Sequence, residues 1–193
     1  MKNLILILIF SLFVPVLYSQ DSLQTPTEQQ FSKEMKREKR KEEKKAEEDR
    51  AKQITKLMLD YHRFVLEADN ISGRSGEQYP VNSNLNFVMI DSTKAVLQLG
   101  NSWGLGNNGV GGITVDGTVS KYKVDKIQHK HGVSYTVTFY VTTNLGTYDI
   151  QMFVSQSGNA EATVRGNTAG VLNYTGYLVP LSLSKVYKGT SYP

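Results

Sequence analysis

Residues Ser134 to Val154, SYTVTFYVTTNLGTYDIQMFV, decide the fold. Tyr135, Val137, Phe139 and Val141 fall on one side; Thr136, Thr138, Tyr140 and Thr142 fall on the other. After Asn144-Leu145-Gly146 the alternation resumes, with Tyr148, Ile150, Met152 and Val154 on the apolar side. Successive side chains leave a strand on opposite faces, so a period of two in β-branched and aromatic residues predicts two strands. Asn and Gly tolerate the positive φ of a tight turn, which makes the pair a hairpin with one apolar face.

The same pattern extends upstream. Phe64, Leu66 and Ala68 alternate with Val65 and Glu67, and Asp69-Asn70 reads as the end of that strand. Residues 72–80 read as loop, and Leu85 to Ile90 as the next strand. Asp91-Ser92-Thr93 turns into Lys94 to Leu99, and a Gly-rich loop follows from Gly100 to Gly112. Ile113 to Val115, a bend at Asp116-Gly117, and Thr118 to Ile127 lead back to the hairpin through His131-Gly132. Val119, Tyr122 and Val124 are the apolar anchors there.

Downstream, Ser157-Gly158-Asn159 turns into Ala160 to Arg165, and Gly166-Asn167-Thr168 into Val171 to Leu178. Leu172, Tyr174 and Leu178 share a face there, and Gly176 relieves crowding. The count is eight strands if the bend at Gly117 lies within one strand, and nine if it does not. Short links pair sequence neighbours antiparallel. No long Greek-key crossover is visible, so the expected fold is mainly β: an up-and-down meander closing into a small barrel. The expected core includes Val137, Phe139, Val141, Ile150, Met152 and Leu172. Phe139, Met152, Phe87 and Tyr174 are the bulky residues expected inside.

A long charged α-helix should precede the barrel. Phe31 to His62 lacks Gly and Pro and is rich in good helix formers. Glu34–Arg37, Glu38–Lys41, Glu42–Lys45, Lys44–Glu48 and Glu48–Lys52 stand at helical contact spacing, each pair worth roughly 0.2–0.5 kcal/mol. Apolar residues are too sparse for a coiled-coil seam. From Ile54 the character changes. Ile54, Leu57, Met58 and Tyr61 form an i, i+3, i+4, i+7 stripe expected to dock on the barrel.

Charge is unevenly distributed. Lys33 to Lys56 holds eleven basic and seven acidic residues, leaving eleven of each sign among the chain's 22 basic and 18 acidic residues. The whole net charge of +4 therefore belongs to Lys33 to Lys56. The neutral remainder of the chain argues against a nucleic-acid partner. The helix is expected to be a solvated face or a contact with an envelope partner or an anionic surface.

Lys2 followed by the apolar run Leu4 to Leu17 reads as a secretory signal peptide cut after Ser19. The run is shorter than the roughly 20 residues of a spanning helix, so no membrane span is expected after cleavage. The chain has no cysteine. No disulfide, thiolate metal site or lipidated cysteine is then available. The expectation is a soluble exported protein, periplasmic or extracellular, and not a lipoprotein. The organisation reads as signal peptide 1–19, lead-in and charged helix 20–53, barrel with its docking helix turn 54–180, and C-terminal tail 181–193.

A signal peptide and charged helix come before Phe64-Val65-Leu66-Glu67-Ala68-Asp69. A Gly-Arg-Ser loop, Trp103-Gly104 in a Gly-rich loop, Val115-Asp116-Gly117 and Leu172-Asn173-Tyr174-Thr175-Gly176-Tyr177-Leu178 follow in that order. Over roughly Tyr61 to Pro180 this resembles an uncharacterised exported family of the Bacteroidetes, the domain of unknown function numbered 4251. The resemblance implies a lipocalin-like β-barrel with no established activity. Some relatives resemble lipoproteins, from which this chain departs by lacking Cys. It also departs at Gly100-Asn101-Ser102-Trp103-Gly104, where a Pro-Tyr-Phe-Gly run is expected.

The chemical motifs lack their context. Gly100 to Gly104 fits G-x-S-x-G, but that elbow needs a helix after the Ser, and Leu105 to Gly109 cannot form one. Gly104 to Gly109 fits G-x-G-x-x-G without the βαβ unit that aims a helix at a pyrophosphate. His129 and His131, with Asp125 nearby, fall short of a metal ligand set. Glu67, Asp91, Asp116, Asp125, Asp149 and Glu161 are scattered. The expectation is no catalytic residue, no cofactor and no metal: not an enzyme.

Tyr is abundant, with eleven against seven Phe. Tyr135, Tyr148 and Tyr174 lie in otherwise apolar inner sets, where a hydroxyl needs a partner or a ligand. With Trp103 they are the candidate ligand-facing residues. The expected function is a non-enzymatic barrel holding a small apolar or amphipathic molecule. The alternative is a packed barrel with a structural or interaction role in the cell envelope.

Overall fold

The structure, a computed structural model, describes residues 28–101, 106, 108–130, 132–166 and 170–192. The expected signal peptide, the lead-in to residue 27, Ser102, Trp103 and His131 lie outside the described residues. The chain divides into a unit of residues 1–41 and a second of residues 42–193.

One helix, α1 (Glu28–Asp60), runs through the charged segment. Its residues 30–50 are exposed. The expected Lys44–Glu48 pair forms at 3.8 Å between exposed side chains, where such pairs contribute little.

The barrel strands are β1 (Arg63–Ser72), β3 (Phe87–Asp91), β4 (Lys94–Leu99), β5 (Ile113–His129), β6 (Gly132–Thr143), β7 (Gly146–Ser155), β8 (Asn159–Gly166) and β9 (Gly170–Pro180). Each pairs antiparallel with its sequence neighbour, and β9 pairs back onto β1, closing the ring. The short β2 (Gln78–Pro80), read from sequence as loop, pairs only with the end of β1. The deciding hairpin has the register its alternation implies, with Val137 opposite Met152 and Phe139 opposite Ile150.

Irregularities let the strands curve. β5 is one strand of 17 residues through the bend at Gly117, so eight described strands close the barrel. A Cβ at Gly117 would lie 2.4 Å from Val141 Cγ1, so only glycine lets β5 cross β6 this closely. The register shifts again between Ser120 and Lys123, where Lys121 takes φ 51°. Such a bulge restores Tyr122 and Val124 to the inner face after Val119. Asp69-Asn70 does not end β1. The register shifts between Ala68 and Asn70, and pairing continues to Ser72. Gly176 faces that irregularity, where a Cβ would stand 2.0 Å from the Glu67 carbonyl oxygen.

Phe64, Leu66, Ile90, Val137, Phe139, Ile150 and Met152 fill the barrel, with Met58 and Leu59 of α1 in the same cluster. Three sequence expectations change. Leu172 is only half-buried. Phe87 is buried but not inside: with Val65 and Val96 it forms a second cluster on the outer face of β1, β3 and β4. The docking stripe of α1 is Thr55, Met58 and Leu59, whereas Ile54, Leu57 and Tyr61 are 45%, 52% and 69% exposed. Both stripes have i, i+3, i+4 spacing, and a Thr at the head of the true one hides it from a count of apolar residues.

What buries Phe87 is the segment 181–192. Leu181 and Val186 pack on the outer cluster. Backbone N–H groups of Tyr187, Thr190 and Tyr192 then donate to the carbonyls of Asn84, Asn108 and Thr114 at 2.8, 2.9 and 2.8 Å. The segment is a strap laid along the outside of the barrel.

Candidate functional site

The two ends of the barrel are finished differently. At one end α1 closes the interior with Met58 and Leu59. Tyr122 seals that end: its hydroxyl donates to the Leu59 carbonyl at 3.1 Å, and its ring lies 3.8 Å from His62 and 5.7 Å from Phe139 between centroids. Burial, helped by Asp60, pushes the Tyr122 phenol far above its usual range, so it stays neutral. Tyr135, opposite Val154 on β7, is buried near the start of β6 at this same end. It is not among the residues lining the cavity described next.

At the other end a cavity of about 260 Å³ opens. Leu97 and Leu99 of β4, Ile113 and Val115 of β5, Tyr148 of β7, Val164 and Gly166 of β8, and Gly170, Val171, Leu172 and Tyr174 of β9 line it. Most are the inward positions nearest the strand ends, where no helix among the described residues arrives and where Gly166 and Gly170 supply no side chain.

Two of the three candidate tyrosines meet here. Tyr174 is buried, and its hydroxyl donates to the Gln98 carbonyl at 3.3 Å. Burial, with Tyr148 adding to it, pushes the Tyr174 phenol far above its usual range. Tyr148 is half-buried, and its hydroxyl has no hydrogen-bond partner among the described residues. Trp103, the fourth candidate, lies outside the described residues.

A fully bonded polar network holds the mouth from outside. The Gln98 amide donates to the Leu85 and Tyr187 carbonyls at 3.0 and 2.8 Å. Its oxygen accepts from Thr114 Oγ1 and the Gly189 N–H, both at 2.8 Å. Asn108 donates to the Leu99 carbonyl and Thr114 Oγ1, and accepts from the Val110 and Gly112 N–H groups. Asn86 accepts from the Gly100 N–H at 2.9 Å. Strap, Gly-rich loop and the ends of β4 and β5 are thereby one unit, and Gln98 reaches the cavity through its own carbonyl to Tyr174. The network was readable as a clue: Gln98 is the odd polar residue in Ala95-Val96-Leu97-Gln98-Leu99.

The carboxylates stay apart. Glu67 accepts from Ser184 Oγ at 2.7 Å, Asp91 meets Arg63 at 3.1 Å, and Asp125 meets Lys123 at 2.7 Å. Asp116 holds Lys188 at 2.7 Å on the strap. None of these lines the mouth. His129 Nε2 lies 2.8 Å from Ser134 Oγ on an exposed surface. Among the described residues no three His, Cys, Asp or Glu gather. Among them, too, no helix is long and apolar enough to cross a membrane.

The family described as domain of unknown function DUF4251 matches residues 42–178. A crystal structure of a DUF4251 family protein from Bacteroides eggerthii is similar at 31% identity, covering 76% of this chain and 96% of that one, with a TM-score of 0.54. A search of curated proteins finds no match.

Proposed function

We propose, starting from the fact that the chain belongs to the DUF4251 family, that it is an exported, non-enzymatic barrel that holds a small apolar or amphipathic molecule in its open mouth. One observation carries this reading. The interior is filled from the helix end to its middle, yet about 260 Å³ lined by apolar side chains stays open at the other end. Apolar concavities with a few polar groups are the usual form of a small-molecule site. No paired carboxylates, metal cluster or nucleophile–base pair lines that space among the described residues, and the two matches carry only a description of unknown function. Export rests on the leader expected at residues 1–19, which would make Gln20 the first residue of a mature periplasmic or extracellular protein.

The test is native mass spectrometry of the protein purified from its own cells. A small molecule that co-purifies with the wild type and is lost in Leu172→Trp supports the proposal. A protein that carries nothing in either form counts against it.

A second reading has its own observation. Ile54, Leu57 and Tyr61 stay exposed and, with Pro180, Leu181 and Ser182, line a groove of about 400 Å³. An envelope partner contacting this groove, or the charged part of α1, would make the protein a structural or interaction module. A stoichiometric protein in the same spectrum, lost in Leu57→Glu, is the outcome that selects this reading.

A further inference from the structure

Resting on the reading of the mouth as a binding site, we infer that its ligand is uncharged, buries about nine non-hydrogen atoms, and offers one hydrogen-bonding group to the hydroxyl of Tyr148. Size comes first. At roughly 30 Å³ per small group, the share one water takes in the liquid, about 260 Å³ accommodates about nine such groups.

Charge comes second. No lining residue is ionised, and the described residues of the loops at 100–112 and 144–145 carry no charge. The remaining loop at this end carries Arg74 and Glu77, exposed and of opposite sign. A carboxylate or ammonium drawn into the cavity would lose its water and find no opposite charge, which disfavours it strongly. This distinguishes the mouth from a site for fatty-acid or amine head groups.

The third argument is the polar inventory. Two side chains in the lining can hydrogen-bond, Tyr148 and Tyr174. The Tyr174 hydroxyl is committed to the Gln98 carbonyl. That of Tyr148 is not committed to any described residue. A phenol both donates and accepts, so it can serve an alcohol, a ketone or an ester. A single such group fixes orientation: the hydrocarbon packs against Leu97, Val115 and Leu172 while its one oxygen meets Tyr148.

The experiment is calorimetric titration of the full chain and of Tyr148→Phe at pH 8. The probes are butylbenzene, octan-1-ol and octanoate, which are matched in length and differ in polarity and charge. Octan-1-ol should bind the wild type at least tenfold more tightly than octanoate. Tyr148→Phe keeps the ring, so it should weaken octan-1-ol about threefold to tenfold, the range of one net hydrogen bond. It should leave butylbenzene unchanged. Octanoate binding as tightly as octan-1-ol overturns the inference of an uncharged ligand while leaving the mouth as a site. An unchanged octan-1-ol affinity in Tyr148→Phe overturns the role given to that hydroxyl. If none of the three probes binds the wild type, the inference falls together with the reading of the mouth itself.

Discussion

The two ends of this barrel are built from the same strands, carry the same alternation, and are stabilised from opposite sides. The closed end is held from within: Met58 and Leu59 enter the core, and Tyr122 gives its hydroxyl to the helix backbone. The open end is held from without: the strap and the Gly-rich loop lock onto Gln98 and Asn108 on the outer surface. Support from outside fixes the strand ends without filling the space between them. The mouth can therefore be both ordered and hollow, which the helix end cannot be.

The sharpest way to break this contrast is to remove bulk at matched depths. Phe139→Ala should destabilise by about 3–5 kcal/mol and Leu59→Ala by about 2–5 kcal/mol, as buried large-to-small changes do. Leu172→Ala at the mouth should cost under about 1 kcal/mol, because its side chain already borders open space. Chemical denaturation of the three variants checks this. A Leu172→Ala loss equal to that of Leu59→Ala would mean the mouth is as packed as the plug.

The external support is tested next. Gln98→Leu removes four hydrogen bonds and leaves Thr114, the Gly189 N–H and two carbonyls to find partners under the strap. An unsatisfied buried polar group costs about 1–3 kcal/mol, so a loss of at least that size is expected. Hydrogen exchange should rise at Gly189, Thr190 and Tyr192 and stay unchanged at Leu59. Uniform exchange changes would show that the two ends are not held separately.

A smaller effect separates the two kinds of tyrosine. Tyr122→Phe should cost about 0.5–1.5 kcal/mol for its lost bond to Leu59. Tyr148→Phe should cost nothing measurable in the ligand-free protein. Equal melting temperatures for the two variants would contradict the distinction between a sealed and an available hydroxyl.

The smallest effect concerns pH. Burial alone would push the Asp116 carboxyl up, but bonds from Lys188 and Ser191 outweigh it and hold the group below its ordinary value. A carboxylate with a depressed folded pKa contributes stability above its unfolded value, about 3.9 for Asp, and loses it as pH falls through the lower folded value. The side chain is half exposed, so Asp116→Asn should cost under about 1 kcal/mol at neutral pH. The difference from wild type should shrink as the pH drops below about 4.

Legibility in the sequence follows the same division. The strands and their closure were readable because alternation is local: Val137, Phe139, Ile150 and Met152 announce their face without help from distant residues. Gly117 was ambiguous, since a bend and a break look alike until Val141 is placed against it. Phe87 was misplaced because β3 is apolar on both faces, and which face is inner depends on a strap about 95 residues away. The helix stripe was rotated because Thr55 does not count as apolar. Of the candidate residues, Tyr148 and Tyr174 do reach the mouth, but Tyr135 shares their face at the other end. A period of two assigns a face and is silent about height along the barrel axis.

The most direct test of the hollow mouth is the melting temperature of wild type and Leu172→Trp with and without octan-1-ol. A ligand that binds only the folded state raises stability by RT ln(1 + [L]/Kd). The account predicts that octan-1-ol raises the wild-type melting temperature, while Leu172→Trp, its cavity filled, melts normally and does not respond. An equal rise in both proteins, or none in the wild type, would contradict it.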